Sequence, residues 1–559
     1  HGVAPHVFSP HAPKASLSLQ ADLHETSAGR LEGGMAIENA EPAPLDHGGL
    51  PLLQVSAQTI LSAELLQFNA LTLAVAGGGT VSGNLLWRPV EAAGTADLAV
   101  SRIDLVRLDT RLRAANLSGV IKLSGDAQTQ QGILTLSDKA LSMDIVIAKT
   151  GSTLTLDKMH LKHGRSALTG HGKLGLDERQ PFAFEGRLQH FDLSVFAQTP
   201  RTSLNSTIEL AGELTPETSG TIRFNMSNSQ VAGQSVSGDG RVVFADLDPA
   251  SPATARASGK IELWLGANRL LAQGGFGRKG DRLQLELAAP ALAQIGHGFS
   301  GSLMTRATLE SRSTNGEPEW PDMIVSAEGR DLALPGNHFL ASFMVDGNSH
   351  GDAISLKIKA VDYKTEEATR LRSLQLEVEG SRARHKLWTV ARLDDDLNLT
   401  LRAAGGLKIP PQTGGKGSKG KKGQGGKEWK DTTWLGEISE LAMAGGLPFH
   451  LTRAASLEAG RERISLGTAE LVIAGGGVQF SGTEWTPQQW LSRGKFSGIG
   501  LRPGGPARMD ENEKNGKVLR LGGEWDIAST TQLTGSLRVT RESGDWILPG
   551  NMSFSPLGL

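Results

Sequence analysis

The chain has 559 residues, with 57 basic against 59 acidic side chains and a formal net charge of −2. That balance argues against a nucleic-acid binder, which carries a strong basic excess. The absence of cysteine excludes disulfides, thiolate zinc sites and cysteine nucleophiles together, and no run reaches the ~18 apolar residues of a membrane helix.

The 70 glycines and single tyrosine describe a foldable chain rich in turn formers. It opens His1-Gly2-Val3 without initiator methionine or signal peptide and stops after the alternating Met552-Ser553-Phe554. Both ends read as cuts in a longer protein, so an anchor missing here says nothing about the parent. A cysteine-free composition fits a bacterial envelope protein and many cytosolic proteins alike.

Period-two alternation broken by Gly, Asp and Asn dominates the chain, the mark of half-buried strands. Leu141, Met143, Ile145 and Ile147 alternate with smaller or polar neighbours, and Leu154 and Leu156 follow the turn Thr150-Gly151-Ser152. Phe182 and Phe184 come next, then Ile222, Phe224 and Met226, and Ile261, Leu263 and Leu265. Leu283, Leu285 and Leu287 repeat the pattern, as do Leu397, Leu399 and Leu401. Helical signals are few: Asp192–Ala197 and Thr486–Leu491 each suit one short helix, the second with Thr486 as cap and Pro487 in the first turn. Without crossover helices a parallel βαβ fold is disfavoured.

From Pro410 to Lys430 the chain reads PPQTGGKGSKGKKGQGGKEWK. Such a Gly/Lys stretch buries too little to order itself and reads as a flexible linker or protruding loop. It divides the chain into β-rich segments 1–409 and 431–559. Its lysines suit either a solvated linker or contact with anionic lipid head groups. Only Trp429 offers a stacking ring, which disfavours nucleic acid.

Motifs for chemistry fail on context. Gly275-Phe276-Gly277-Arg278-Lys279-Gly280 has dinucleotide-loop spacing, but an alternating strand follows instead of the helix whose N-terminus would meet a pyrophosphate. It reads as a hairpin turn. Asp394-Asp395-Asp396 reads as a solvated turn. His160, His163 and His171 lack a Cys or carboxylate at ligand spacing. Gly298-Phe299-Ser300-Gly301 does not complete a nucleophile elbow. No catalytic residue, metal site or cofactor is expected.

Strands with one apolar face must bury that face in sandwiches, in closed barrels, or in one long curved sheet holding something else. A large uncovered apolar face marks a binding surface. An acyl chain suits it, because each buried methylene contributes about 0.8 kcal/mol, and sliding along an unbroken trough keeps that energy. Alternation alone leaves these alternatives open.

The chain also resembles the TamB family, the large AsmA-like proteins of the Gram-negative envelope. In the C-terminal part the likeness lies in Trp434–Ile438, Pro448–Leu451, Leu471–Gly477, Gly522–Ile527, Leu533–Val539 and Arg541–Trp546. Earlier it lies in Phe184–Asp192, Leu204–Ile208 and Ala289–Ala293. The resemblance implies a long antiparallel β-groove (the β-taco type) with very few short helices. It implies a periplasmic location, with the parent anchored in the inner membrane and meeting a TamA-like barrel in the outer membrane. The implied role is to move phospholipid across the periplasm, with effects on outer-membrane protein assembly. This chain would be the middle of such a protein, and its Gly/Lys segment departs from the family's pattern.

The expectation is therefore a non-enzymatic phospholipid conduit, whose acyl-chain walls are the apolar sets named above as far as Leu399, Met226 excepted. A scaffold for outer-membrane protein assembly is the first alternative. An adhesin-like or glycan-binding β-repeat is the second, disfavoured by the scarcity of aromatic residues.

Overall fold

The computed structural model describes residues 2–4, 7, 12–196, 199–247, 255–296, 298–312, 320–365, 371–393, 397–408, 432–502, 505–506 and 518–544. The aspartate run 394–396, the segment 410–430 and Met552-Ser553-Phe554 lie outside those residues. Contacts divide the chain into two units, one of residues 1–247 and 257–266, the other of 248–256 and 267–559.

In the first unit, strands from Leu17–Ser27 to Gln234–Leu247 each pair antiparallel with the next in sequence. The cause is local. Alternation gives each strand two unlike faces, and tight turns reverse the chain. Gly151, at φ +56°, turns Leu141–Thr150 into Thr153–His163, and Gly164, at φ +58°, turns the latter into Ser166–Gly175. Both positions need the left-handed backbone that glycine adopts freely.

The second unit repeats this scheme from Asn268–Phe276 to Thr433–Ala444. Lys408 pairs with Thr433, so the strands before and after segment 410–430 are direct neighbours. Beyond them the ladder is interrupted. Thr433–Ala444 pairs at one end with Phe449–Arg453 and at the other with Ala455–Ala459. Gly476–Trp485 likewise pairs with both Ala469–Ile473 and Ile464–Leu466. Regular pairing then resumes through Trp490–Arg502 and Leu519–Ser529 to Leu533–Ser543.

Both units are thus all-β antiparallel sheet, the class the alternation implies. The glycine-rich 275–280 stretch is a hairpin turn: Asn268–Phe276 runs into it and Arg282–Ala289 out, with Arg278 N donating to Asp281 Oδ2 at 2.9 Å. Among the described residues helix is confined to single turns. Asp192 caps the 3-10 turn Leu193–Val195 by accepting from Ser194 N. The helix expected over Thr486–Leu491 does not form. Trp485 pairs with Trp490, Thr486 N donates to Gln489 O at 2.8 Å, and Thr486 Oγ1 accepts from Gln489 N at 3.1 Å. A capping threonine followed by proline suits a tight turn as well as a helix start, and one isolated helical turn is too short to compete with a sheet ladder.

Candidate apolar groove

Residues opposite each other in an antiparallel pair share a face, so the register assigns every strand's faces. Ile145 stands opposite Leu134 and Met159, Met143 opposite Leu136 and Leu161, and Ile147 opposite Gly132 and Leu156. Leu154 faces Leu174, which faces Phe182, while Phe184 faces Gly172 and Leu210. Leu210 and Ile208 in turn face Ile222 and Phe224. In the other direction Leu134 continues through Ile121 to Leu98, Gly83 and Leu71. One apolar face therefore runs through the first unit.

Ile261 and Leu263 join this face. The Ile261 Cγ1 lies 3.3 Å from where a Cβ on Gly240 would sit, and Leu263 Cδ2 lies 2.8 Å from that of Gly238. Leu265 has the same parity in its strand. In the second unit Leu283, Leu285 and Leu287 face Gly274, Ala272 and Leu270 on one side and Leu309, Ala307 and Thr305 on the other. Leu399 faces Ala391 and Met443. Leu397 precedes its strand, and its carbonyl accepts from Leu393 N at 2.8 Å.

The other face carries the charge. Arg223 meets Glu209 at 3.6 Å, Arg306 meets Glu286 at 3.1 Å, Arg402 meets Glu440 at 3.1 Å and Arg538 meets Glu524 at 3.0 Å. All four are directly opposed cross-strand pairs. Being exposed, each contributes at most about 1 kcal/mol. Their main effect is to keep one face wet. His160 and His171 lie on this face too, His171 at 3.5 Å from Glu185, while His163 sits opposite Leu141 at the end of the apolar face. Among the described residues no cluster of His and carboxylates has metal-binding geometry.

Of the eighteen residues expected to line a groove, Leu141 is buried, whereas Ile147 and Ile222 are each 38% exposed and the rest are half-buried. A face inside a sandwich would be covered. Here it is partly open, and in the first unit it curves. Leu85 and Trp87, on Gly79–Arg88, and Leu154, on Thr153–His163, line one cavity of about 370 Å3 together with Ala96, Leu123 and Ile147. Those two strands are five ladder steps apart, about 24 Å in a flat sheet.

Glycine makes that face shallow. The Phe184 ring lies where side chains on Gly170 and Gly186 would be, with ring atoms 2.8 Å from either missing Cβ. In the second unit Trp434 lies likewise over Gly405 and Gly436. Its Nε1 donates to His385 Nε2 at 2.8 Å. The other ring nitrogen of His385 is 3.0 Å from the Ser381 carbonyl, which fixes its proton on Nδ1 and leaves Nε2 to accept.

One edge of the first unit's face is plugged. The connections that follow Ala93–Ile103 and Pro181–Phe191 fold back over it, placing Leu105, Leu108, Ala115 and Phe196 against Val100, Ile103, Leu117, Leu136 and Leu141. Arg113 N donates to Phe196 O at 3.1 Å. Thr110 donates to Asp46 through its hydroxyl, and through its amide at 3.2 Å. The 104–116 connection thus ties together two other connections on the same edge as a strap. In the second unit the turn Leu292–Ile295 plays a similar part, with Leu292 buried beside Ala289, Leu332 and Phe343.

The profile of one protein family, described as TamB, N-terminal domain, matches residues 139–414. Over residues 139–414 the chain belongs to the TamB family. The matched span contains Phe184–Asp192, Leu204–Ile208 and Ala289–Ala293, and the similar stretches from Trp434 onward lie beyond it. It starts just before Leu141 and ends inside the Gly/Lys segment, so the eighteen wall residues expected from the sequence fall within it. No curated protein matches the chain. The TamB family belongs to the Gram-negative envelope. Among the described residues no helix is long and apolar enough to cross a membrane.

The alternation missed the wall residues on the early strands, such as Leu71, Leu85, Trp87, Leu98 and Leu123. Glycines at Gly83, Gly94 and Gly132 occupy wall positions there and break the hydrophobic count. Counting glycine as a wall residue where the neighbouring strand offers a large side chain would have found them.

Proposed function

We propose that this chain is a non-enzymatic periplasmic conduit, carrying phospholipid between the inner and outer membranes along its apolar faces as part of a translocation and assembly module. The reading rests chiefly on the unbroken apolar row from Leu71 to Phe224, half-exposed and, between Leu85 and Leu154, curved around a cavity, which a sandwich core would not leave open. Membership of the TamB family supports it. An acyl chain on such a face loses little energy when it slides, because each step exchanges one apolar contact for another. The walls act collectively and no single residue is required for chemistry. The parent protein would supply an inner-membrane anchor and the contact with a TamA-like outer-membrane barrel.

Native mass spectrometry with lipid extraction on the protein expressed in the periplasm tests the proposal. Phospholipid is expected in reproducible excess, and expected to fall when Ile145→Asp or Leu285→Asp puts a carboxylate on the face in a variant that still folds. A lipid-free, stably folded wild type would sink the conduit and leave a scaffold for outer-membrane protein assembly.

A further inference from the structure

Lys149 is the penultimate residue of the strand Leu141–Thr150, on the same face as Ile147, opposite Leu154 on one side and Gln130 on the other. It borders the 370 Å3 apolar cavity. Cross-strand pairing puts no other lysine or arginine on this face of the first unit among the described residues. Lys122, Lys158, Lys162, Lys173 and Arg187 all stand opposite residues of the outer face. Lys149 also has no ion pair among the described residues.

A charged amine on an apolar wall is costly unless it reaches water or an anion. At the lip of a cavity a lysine satisfies this by laying its stem on apolar surface and keeping its head in water. The opposite edge is closed by Leu105, Leu108 and Phe196. A lipid in this cavity therefore has one side on which its polar end can emerge, the short-turn edge where Lys149 stands.

Resting on the reading of this face as a lipid groove, we propose that Lys149 is its head-group site: the ammonium holds the phosphate of a glycerophospholipid whose acyl chain lies against Leu123, Ile147 and Leu154. A lysine serves as a phosphate-binding point charge without fixing the phosphate's orientation. The site thus biases the groove toward phosphate-bearing lipids while leaving them free to move on.

The test compares two lipids with identical chains, dioleoylphosphatidylglycerol and dioleoylglycerol, offered in equal amounts in detergent to the full chain and read by native mass spectrometry. Wild type is expected to take up the phospholipid in preference. Lys149→Met is expected to lower phosphatidylglycerol uptake about tenfold, the scale of a charge-assisted contact, with dioleoylglycerol unchanged, and Lys149→Arg to restore it. Lys149→Gln stands in if the Met variant does not fold. A charge-free variant that keeps the wild-type preference overturns the head-group site and leaves the groove standing. Wild type that binds neither lipid overturns the groove itself. Inorganic phosphate alone bound as tightly as phosphatidylglycerol would make this a soluble-anion site and overturn the lipid assignment.

Discussion

At the scale of single residues, small side chains decide how the apolar face is shaped. Phe184 lies flat because Gly170 and Gly186 have no Cβ. Replacing Gly170 with valine should force the ring off its neighbours and destabilise the protein by about 1–3 kcal/mol, the usual cost of overpacking. The same logic gives a sharper test at His385, a buried histidine whose Nε2 accepts from the Trp434 indole. His385→Phe fills the space but leaves that N–H unpaired, at a cost of about 1–3 kcal/mol. Amide exchange in Thr433–Ala444 should accelerate accordingly. Unchanged exchange would mean that the bond contributes nothing.

At the scale of elements, the strap over residues 104–116 is held by carboxylates. The Thr110 hydroxyl, ahead of its amide, lowers the Asp46 pKa against the opposing effect of desolvation. Hydrogen bonds from the Arg111 side chain and then its backbone hold Asp109 down to about 2. Both carboxyls are more acidic folded than unfolded. Their contribution is therefore complete above the ordinary value of 3.8 and is lost as pH falls, for Asp109 toward about 2. Protection of the Thr110 amide, corrected for intrinsic exchange, should be flat from neutral pH down to about pH 5 and fall below about pH 4. Asp46→Asn should loosen it at every pH. A strap that opens as the pH rises would contradict this account.

At the scale of the whole molecule, each regular strand touches mainly its sequence neighbours, so stability should behave as a sum of local terms, as in repeat proteins. Ile145→Asp should speed exchange in Thr129–Ser137 and Thr153–His163 and leave Leu17–Ser27, in the same unit, unaffected. Global loss of protection would show instead that the unit folds as one cooperative block. Asp144→Ala, one residue away on the outer face, should change neither lipid uptake nor these rates, because alternation sends its side chain to water.

The sequence by itself determined the class of this protein. Period-two alternation with glycine turns leaves antiparallel sheet as the economical solution, and of the short motifs that pointed to the family those from Phe184 to Ala293 lie in the matched span. The same alternation marked Ile145, Phe184 and Leu285 as one-sided strand positions, because parity is a local property. It did not distinguish a covered sandwich from an open groove, since both need one apolar face. Nor did it separate a helix from a turn at Thr486-Pro487, where the same residues cap either. Tertiary structure decided these points through distance. Curvature brings Leu85 and Leu154 around one cavity, and the strap closes one edge. Among the described residues, register puts Lys149 and no other lysine or arginine on the first unit's apolar face, at the other edge. Each depends on which strands lie opposite one another across many residues of chain, information that no local pattern holds.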